Sequence, residues 1–145
     1  MKRMSIFLSA LVLSSLTLSV ALAHHNRESY FDMDTVITFA EVTAVSFRVV
    51  NPHSELRFLV TDDQGNEQEW SAGALSASHL RRAGLPANLI RPGDKLTVTG
   101  SPSRATLNGM WLYTVILPNG DTADLFSAIY AGTDPITPAG NTASP

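Results

Sequence analysis

The histidines have the clearest capacity for chemistry in this chain. His24 and His25 directly follow a small-x-small sequence at residues 21–23, and His53 ends an Asn-Pro-His segment. If cleavage follows residue 23, the α-amine and a ring nitrogen of His24 can chelate one metal ion, and further imidazoles can complete a T-shaped Cu(II) site. Copper binds amine and imidazole nitrogens strongly among the divalent first-row metals. We therefore predict His24, His25 and His53 as metal ligands, with copper as the metal.

Structural roles explain the same histidines without a metal. His24 and His25 would then lie in a frayed chain terminus, and His53 would help to fold a loop that contains proline. His79 stands in a short polar segment with two arginines, where solvated surface is the ordinary explanation. The sequence leaves both interpretations of the first three histidines open.

Three aromatic residues of the predicted strands form a second candidate site. Trp70, Trp111 and Tyr113 could stack on a sugar or heterocyclic ligand if they lie on one face of a barrel. The chain has only six Phe, two Trp and three Tyr. A small core needs most of them, so core filling is the competing interpretation of these three residues.

No catalytic constellation is visible in the sequence. The absence of Cys excludes a thiolate nucleophile, a Cys-rich zinc site and disulfides. The sequence lacks the motifs of serine hydrolases and zinc proteases and the Gly-rich phosphate loop. Asp62 and Asp63 are adjacent, but the chemistry of a hairpin turn accounts for both. We therefore predict a non-enzymatic binding or accessory protein with no assigned catalytic residue and no cofactor other than copper.

The first 23 residues have the features of a secretory signal peptide. Lys2 and Arg3 precede an apolar run at residues 6–20, which is short for a membrane span and contains Ser and Thr, and a small-x-small sequence follows. These features predict a periplasmic or secreted protein without a membrane anchor after cleavage. Loss of the two basic residues changes the formal charge from −3 to −5. The negative charge predicts that the partner is a small ligand or a protein and not nucleic acid.

Hydrophobic patterning predicts five strands and one helix between residues 36 and 130. The strands are expected near residues 36–50, 56–61, 67–72, 95–100 and 110–117, and Ser76 and Gly84 bound the helix. A bulge is expected near Glu41, with Val45 on the inward face after it. One core is predicted for six residues: Leu56, Phe58, Val60, Trp70, Leu96 and Val98.

Three strands, a helix and two strands follow one another in the order of the OB-fold, a five-stranded Greek-key barrel. A β-sandwich would need more strands. We therefore predict an all-β fold with one short helix and an OB-fold-like barrel. The predicted organisation is a signal peptide (residues 1–23), a leader (24–35), the barrel (36–130, ending in a short helix or strand) and a disordered tail (131–145) poor in large apolar residues.

Taken together, several motifs resemble a family of exported bacterial proteins classed as a domain of unknown function. The correspondence covers about residues 23–120 and rests on these motifs: His24-His25, Phe31-Asp32, Asn51-Pro52-His53, Trp70, Leu80 with Arg82 and Gly84, and Arg91-Pro92-Gly93-Asp94. That family usually has Ser after the two histidines, where Asn26 stands here. It usually has Gly in its first strand, where Glu41 and Val42 stand here. The resemblance implies export and a compact β-barrel, and it implies no established activity.

Overall fold

The structure, a computed structural model, describes residues 27–140 of the 145-residue chain. Its strands are β1 (Ile37–Arg48), β2 (Ser54–Thr61), β3 (Glu67–Ala74), β4 (Lys95–Pro102), β5 (Gly109–Ile116), β6 (Thr122–Asp124) and β7 (Ile136–Thr137). Its helices are α1 (Ala77–Arg82) and α2 (Ser127–Ala131), and a 3₁₀ turn covers Arg27–Ser29. The predicted signal peptide, His24 and His25 lie outside the described residues.

The first five strands close into a barrel. β1 pairs antiparallel with β2 and β4, β2 pairs with β3, and β4 pairs with β5. A parallel pairing between β3 and β5 joins the two ends of this sheet. Helix α1 lies between β3 and β4, as the OB-fold requires. The prediction of an OB-fold-like five-stranded barrel with one short helix is confirmed.

Two short strands extend the sheet beyond β5. β6 pairs with β5, and β7 pairs with β6. β7 lies in the segment predicted to be disordered, and its neighbour Pro135 is buried and accepts a hydrogen bond of 2.8 Å from the Asp124 backbone. Within residues 27–140 no helix is long and apolar enough to cross a membrane.

The barrel core contains the residues that period-2 patterning predicts. Of the six residues, Val60 and Trp70 are half-buried and pack against the core, and the other four are buried within it. The residues of β5 are apolar on both faces of the strand because both faces are covered. Successive residues Met110, Trp111 and Leu112 point to opposite sides of the sheet, and all three are buried.

β1 contains a second bulge that the sequence analysis did not predict. The register between β1 and β2 shifts between Ala44 and Ser46. The prediction that Val45 points inward is wrong, because Val42 and Ala44 are buried and Val45 is 36% exposed. The second bulge shifts the alternation of inward and outward side chains by one residue. After it, Phe47 packs against the core.

The first bulge of β1 confirms the position predicted from the sequence. The register between β1 and β4 shifts between Phe39 and Val42, and Glu41 has a φ of 55°. This left-handed conformation disfavours residues with a Cβ atom and suits glycine.

We expect Glu41→Gly to raise the free energy of unfolding by about 0.5–1 kcal/mol, because glycine relieves the left-handed strain at an exposed side chain. Denaturant titration of both proteins measures the change. Glu67→Gly is the matched control, since Glu67 is also exposed in a strand but has no positive φ, and it should lower stability. A lower stability for Glu41→Gly would contradict the prediction.

Local polar contacts fix the ends of α1 and the β2–β3 hairpin. Ser76 is the N-cap of α1 and its side chain accepts from the His79 backbone at 3.3 Å, while Gly84 has a φ of 83° after the helix, as predicted.

In the β2–β3 hairpin, the Asp62 side chain accepts hydrogen bonds from the side chain and backbone of Asn66 and from the backbone of Gln64. These hydrogen bonds, led by that from the Asn66 side chain, hold the pKa of Asp62 below its usual value. The hairpin explains Asp62 without a catalytic role.

Candidate ligand-binding site

A pocket of about 980 Å³ lies where β3 meets β5. From β3 it is lined by Ser71 and Gly73, which alternate with the core residues Ala72 and Ala74, and Leu75 directly after the strand also lines it. Alternate residues of a strand point to opposite faces of the sheet. The pocket therefore lies on the outside of the barrel, against the strand pair that closes it.

The other walls come from segments that are far apart in the chain. They are the β1–β2 loop with Pro52 and His53, the start of α1 with His79, the β4–β5 loop at residues 103–108, and the N-terminal segment at residues 27–31. Ligand sites of OB-folds are flanked by these same two strand-connecting loops. The pocket shares these two loops with the usual OB-fold ligand site, but its strands are β3 and β5 and no residue of β2 lines it.

The N-terminal segment is held in place by the β4–β5 loop. Phe31 forms an isolated β-bridge with Ser103, and the Arg104 backbone donates to the Tyr30 carbonyl at 2.7 Å. The Arg104 side chain also pairs with Asp32 at 2.7 Å. These contacts place the side chain of Arg27, at the start of the segment, beside the pocket.

Trp111 of β5 is the central aromatic residue of the pocket. Its side chain is covered by Phe31, with the ring centroids 5.5 Å apart, and by the edge of His53, with the ring centroids 5.6 Å apart. Gly73 pairs with Trp111 across β3 and β5, and a Cβ atom at Gly73 would lie 3.4 Å from the indole. With glycine at position 73, β3 places no side chain against this part of the indole.

Two buried donors of the pocket lining have no hydrogen-bond partner among the described residues. They are Nη1 of Arg27 and Nε1 of Trp111. The Arg27 guanidinium carbon lies 5.6 Å from the centre of the Trp111 ring and 4.8 Å from that of Phe126. A buried donor without a partner costs roughly 1–3 kcal/mol, and more if charged. An acceptor that reached both groups would therefore be bound favourably.

The pocket lining carries basic residues and no acidic ones. Arg27, His53 and His79 line it, whereas no Asp or Glu does. Glu55, which is not part of the lining, accepts a hydrogen bond of 2.8 Å from Ser71. The local charge thus differs in sign from the formal charge of −3 of the whole chain.

The structure separates the three aromatic residues of the predicted ligand site. Trp111 lines the pocket, but Trp70 and Tyr113 do not. The Trp70 ring lies 4.6 Å from that of Phe39 at the edge of the core. The Tyr113 hydroxyl bonds to Ser101 Oγ at 2.6 Å. Both therefore have structural contacts away from the pocket.

Of the three predicted metal ligands, one lies within the described residues and two lie outside them. His53 is exposed at the pocket and follows the cis Asn51–Pro52 bond, whereas His24 and His25 lie outside the described residues. Within residues 27–140 no three His, Asp or Glu side chains are grouped closely enough to hold a metal ion. His79, also in the lining, bonds through Nδ1 to the Ser76 hydroxyl at 2.7 Å.

Arg27 has the most unusual surroundings in the pocket, and it was not among the predicted site residues. It lies in the predicted leader, and no motif or periodicity marks it. The features that single it out are its unpartnered Nη1 and its two aromatic neighbours. Both arise only when the N-terminal segment folds against β5.

The strands form an OB-fold-like barrel with a pocket on its outside. Residues 12–110 match a family of unknown function, DUF6152, and the chain belongs to this family. The predicted membership of a family of unknown function is thus confirmed, while export and the role of the motif residues stay predictions. A search of curated proteins found no match.

Among solved structures, the chain is similar to a mitochondrial single-stranded DNA-binding protein from S. cerevisiae. The identity is 7%, the TM-score is 0.42, and the match covers 57% of this chain and 93% of that one. This match contradicts the prediction that nucleic acid is not a partner. The physical reason is that a ligand responds to the charge of the face it meets, and net charge averages over all faces.

Proposed function

We propose that this chain is an exported binding protein that holds a small ligand in the pocket between β3 and β5. The observation that carries the proposal is a pocket of about 980 Å³ in which two buried donors, on Arg27 and Trp111, have no partner among the described residues. Ligand pockets of proteins are typically about 300–1,000 Å³ and combine apolar walls with a few polar groups. The signal-peptide features of residues 1–23 support export.

Calorimetric titration with 2-naphthoate tests the binding proposal. The protein is the chain beginning at His24, and the probe combines a flat ring with one acceptor group. We expect saturable binding of one probe per chain. An absence of saturable heat would contradict the proposal.

A second candidate function is copper binding, and the position of His53 favours it. His53 lines the same pocket as Arg27, and each lies close to the Trp111 ring, at 5.6 Å. His24 is three positions before Arg27 in the chain, and consecutive Cα atoms are about 3.8 Å apart. Chain connectivity therefore keeps the predicted mature terminus within about 11 Å of Arg27, which supports a shared site of His24, His25 and His53.

We expect His53→Ala, and separately one extra residue before His24, each to weaken Cu(II) binding by about tenfold or more, because each removes part of the nitrogen ligand set. Competitive Cu(II) titration of the mature chain measures the affinity, after intact-mass analysis verifies the loss of residues 1–23. His79→Gln is the control and should bind as the parent does, since its Nδ1 already bonds to Ser76. Unchanged affinity in both variants, or a parent no tighter than an unstructured His-His peptide, would contradict copper binding.

A further inference from the structure

We infer that the pocket takes an aromatic carboxylate, with the carboxylate at Arg27 and Trp111 and the flat ring against the aromatic wall. This inference rests on the proposed binding function and specifies its ligand class. It is carried by three features of the described residues: the unpartnered donors, the sign of the local charge, and the aromatic lining.

The unpartnered donors require an acceptor at one end of the ligand. Arg27 Nη1 is buried and its guanidinium lies against the rings of Trp111 and Phe126, which offer no strong hydrogen-bond acceptor. Trp111 Nε1 is also buried without a partner. Guanidinium groups bind carboxylates through two parallel hydrogen bonds, which are stronger than hydrogen bonds between neutral groups. A carboxylate can accept from Arg27 and retain acceptor capacity for the indole.

The charge of the lining selects an anion over a neutral acceptor. Arg27 is the one Lys or Arg of the described lining, and that lining contains no carboxylate that could neutralise it. Arg104, nearby in the β4–β5 loop, is already paired with Asp32 at 2.7 Å. Among the described residues Arg27 has no such partner.

The aromatic lining selects a flat ring for the rest of the ligand. The indole of Trp111 and the imidazole of His53 meet edge to face, Phe31 packs on the indole, and Tyr30 also lines the pocket. Such surfaces favour stacked or edge-on contact with a planar ring. Gly73 adds no side chain of its own against the indole, which would lie 3.4 Å from a Cβ atom at this position.

Paired titrations of the mature chain with 2-naphthoate and 2-naphthamide test the inference. The two probes have the same ring and nearly the same shape, and they differ in charge. We expect naphthoate to bind about tenfold or more tightly than the amide, because only naphthoate forms a charge-assisted pair. In Arg27→Met this difference should disappear, because naphthoate loses a charge-assisted pair and the amide loses only a weaker neutral hydrogen bond.

The outcomes separate the failure of this inference from the failure of the proposed function. Equal binding of both probes to the parent would overturn the anion preference and leave the pocket as a binding site. Binding of neither probe would overturn the proposed function itself. A short deoxythymidine oligonucleotide that bound more tightly than naphthoate, with the same dependence on Arg27, would identify phosphate as the anion and overturn the carboxylate assignment. Thermal melts of Arg27→Met should show an intact fold.

Discussion

Valine in place of Gly73 should weaken binding of 2-naphthoate by about a hundredfold or more. A Cβ atom at this position would already lie 3.4 Å from the Trp111 indole, and valine adds two methyl groups beyond it. Those methyl groups would occupy the space in which a ligand ring contacts the indole. Calorimetric titration of Gly73→Val and the parent gives the two affinities.

Gly73→Ala is the matched control for this substitution. Its single Cβ atom makes an ordinary van der Waals contact at 3.4 Å, so we expect binding within a few fold of the parent. Both variants lose the glycine, so Gly73→Ala also accounts for the change in strand propensity. Undiminished binding by Gly73→Val, with an intact fold by thermal melting, would show that the ligand lies elsewhere.

Phe58→Ala should lower the free energy of unfolding by about 3–5 kcal/mol, because it removes a fully buried ring and leaves a cavity. Phe58 lies in β2 with no exposed surface, pairs with Trp70 on β3, and contacts the ring of Phe39 at 6.1 Å between centroids. Denaturant titration measures the loss. The residue therefore joins the second and third strands to the barrel core.

Leu107→Ala is the control for Phe58→Ala, since Leu107 is a large apolar residue that is 96% exposed. Its replacement should change stability by less than about 0.5 kcal/mol. A loss below about 1 kcal/mol for Phe58→Ala would mean that β2 presents its other face to the core.

The predictable parts of this fold depend on local signals. The Ser76 cap, the Gly84 stop and the turn at Asp62 each depend on a few neighbouring residues. The alternation in β2 and β4 reports burial directly, and the order of elements then identified the barrel. The second bulge of β1 escaped prediction because it depends on how β1 pairs with β2, which the pattern of one strand does not encode.

The pocket was only partly predictable because it is assembled from distant segments. His53 and Trp111 attracted attention by residue type, yet nothing in their spacing indicated that their rings lie 5.6 Å apart. Arg27 gave no signal at all, because its surroundings depend on β3 meeting β5 and on the N-terminal segment crossing that junction. Trp70 is similar to Trp111 in type and strand context, and only the closed barrel shows that it packs on Phe39 instead.

Indole N–H signals in a ¹⁵N-correlation spectrum test the central claim, that the pocket between β3 and β5 is the binding site. The chain has two tryptophans, so the spectrum contains one reporter in the pocket, Trp111, and one internal control outside it, Trp70. Titration with 2-naphthoate should shift the Trp111 signal saturably, because its unpartnered Nε1 gains an acceptor, and should leave the Trp70 signal in place. A stationary Trp111 signal, or a shift of Trp70 alone, would contradict the account.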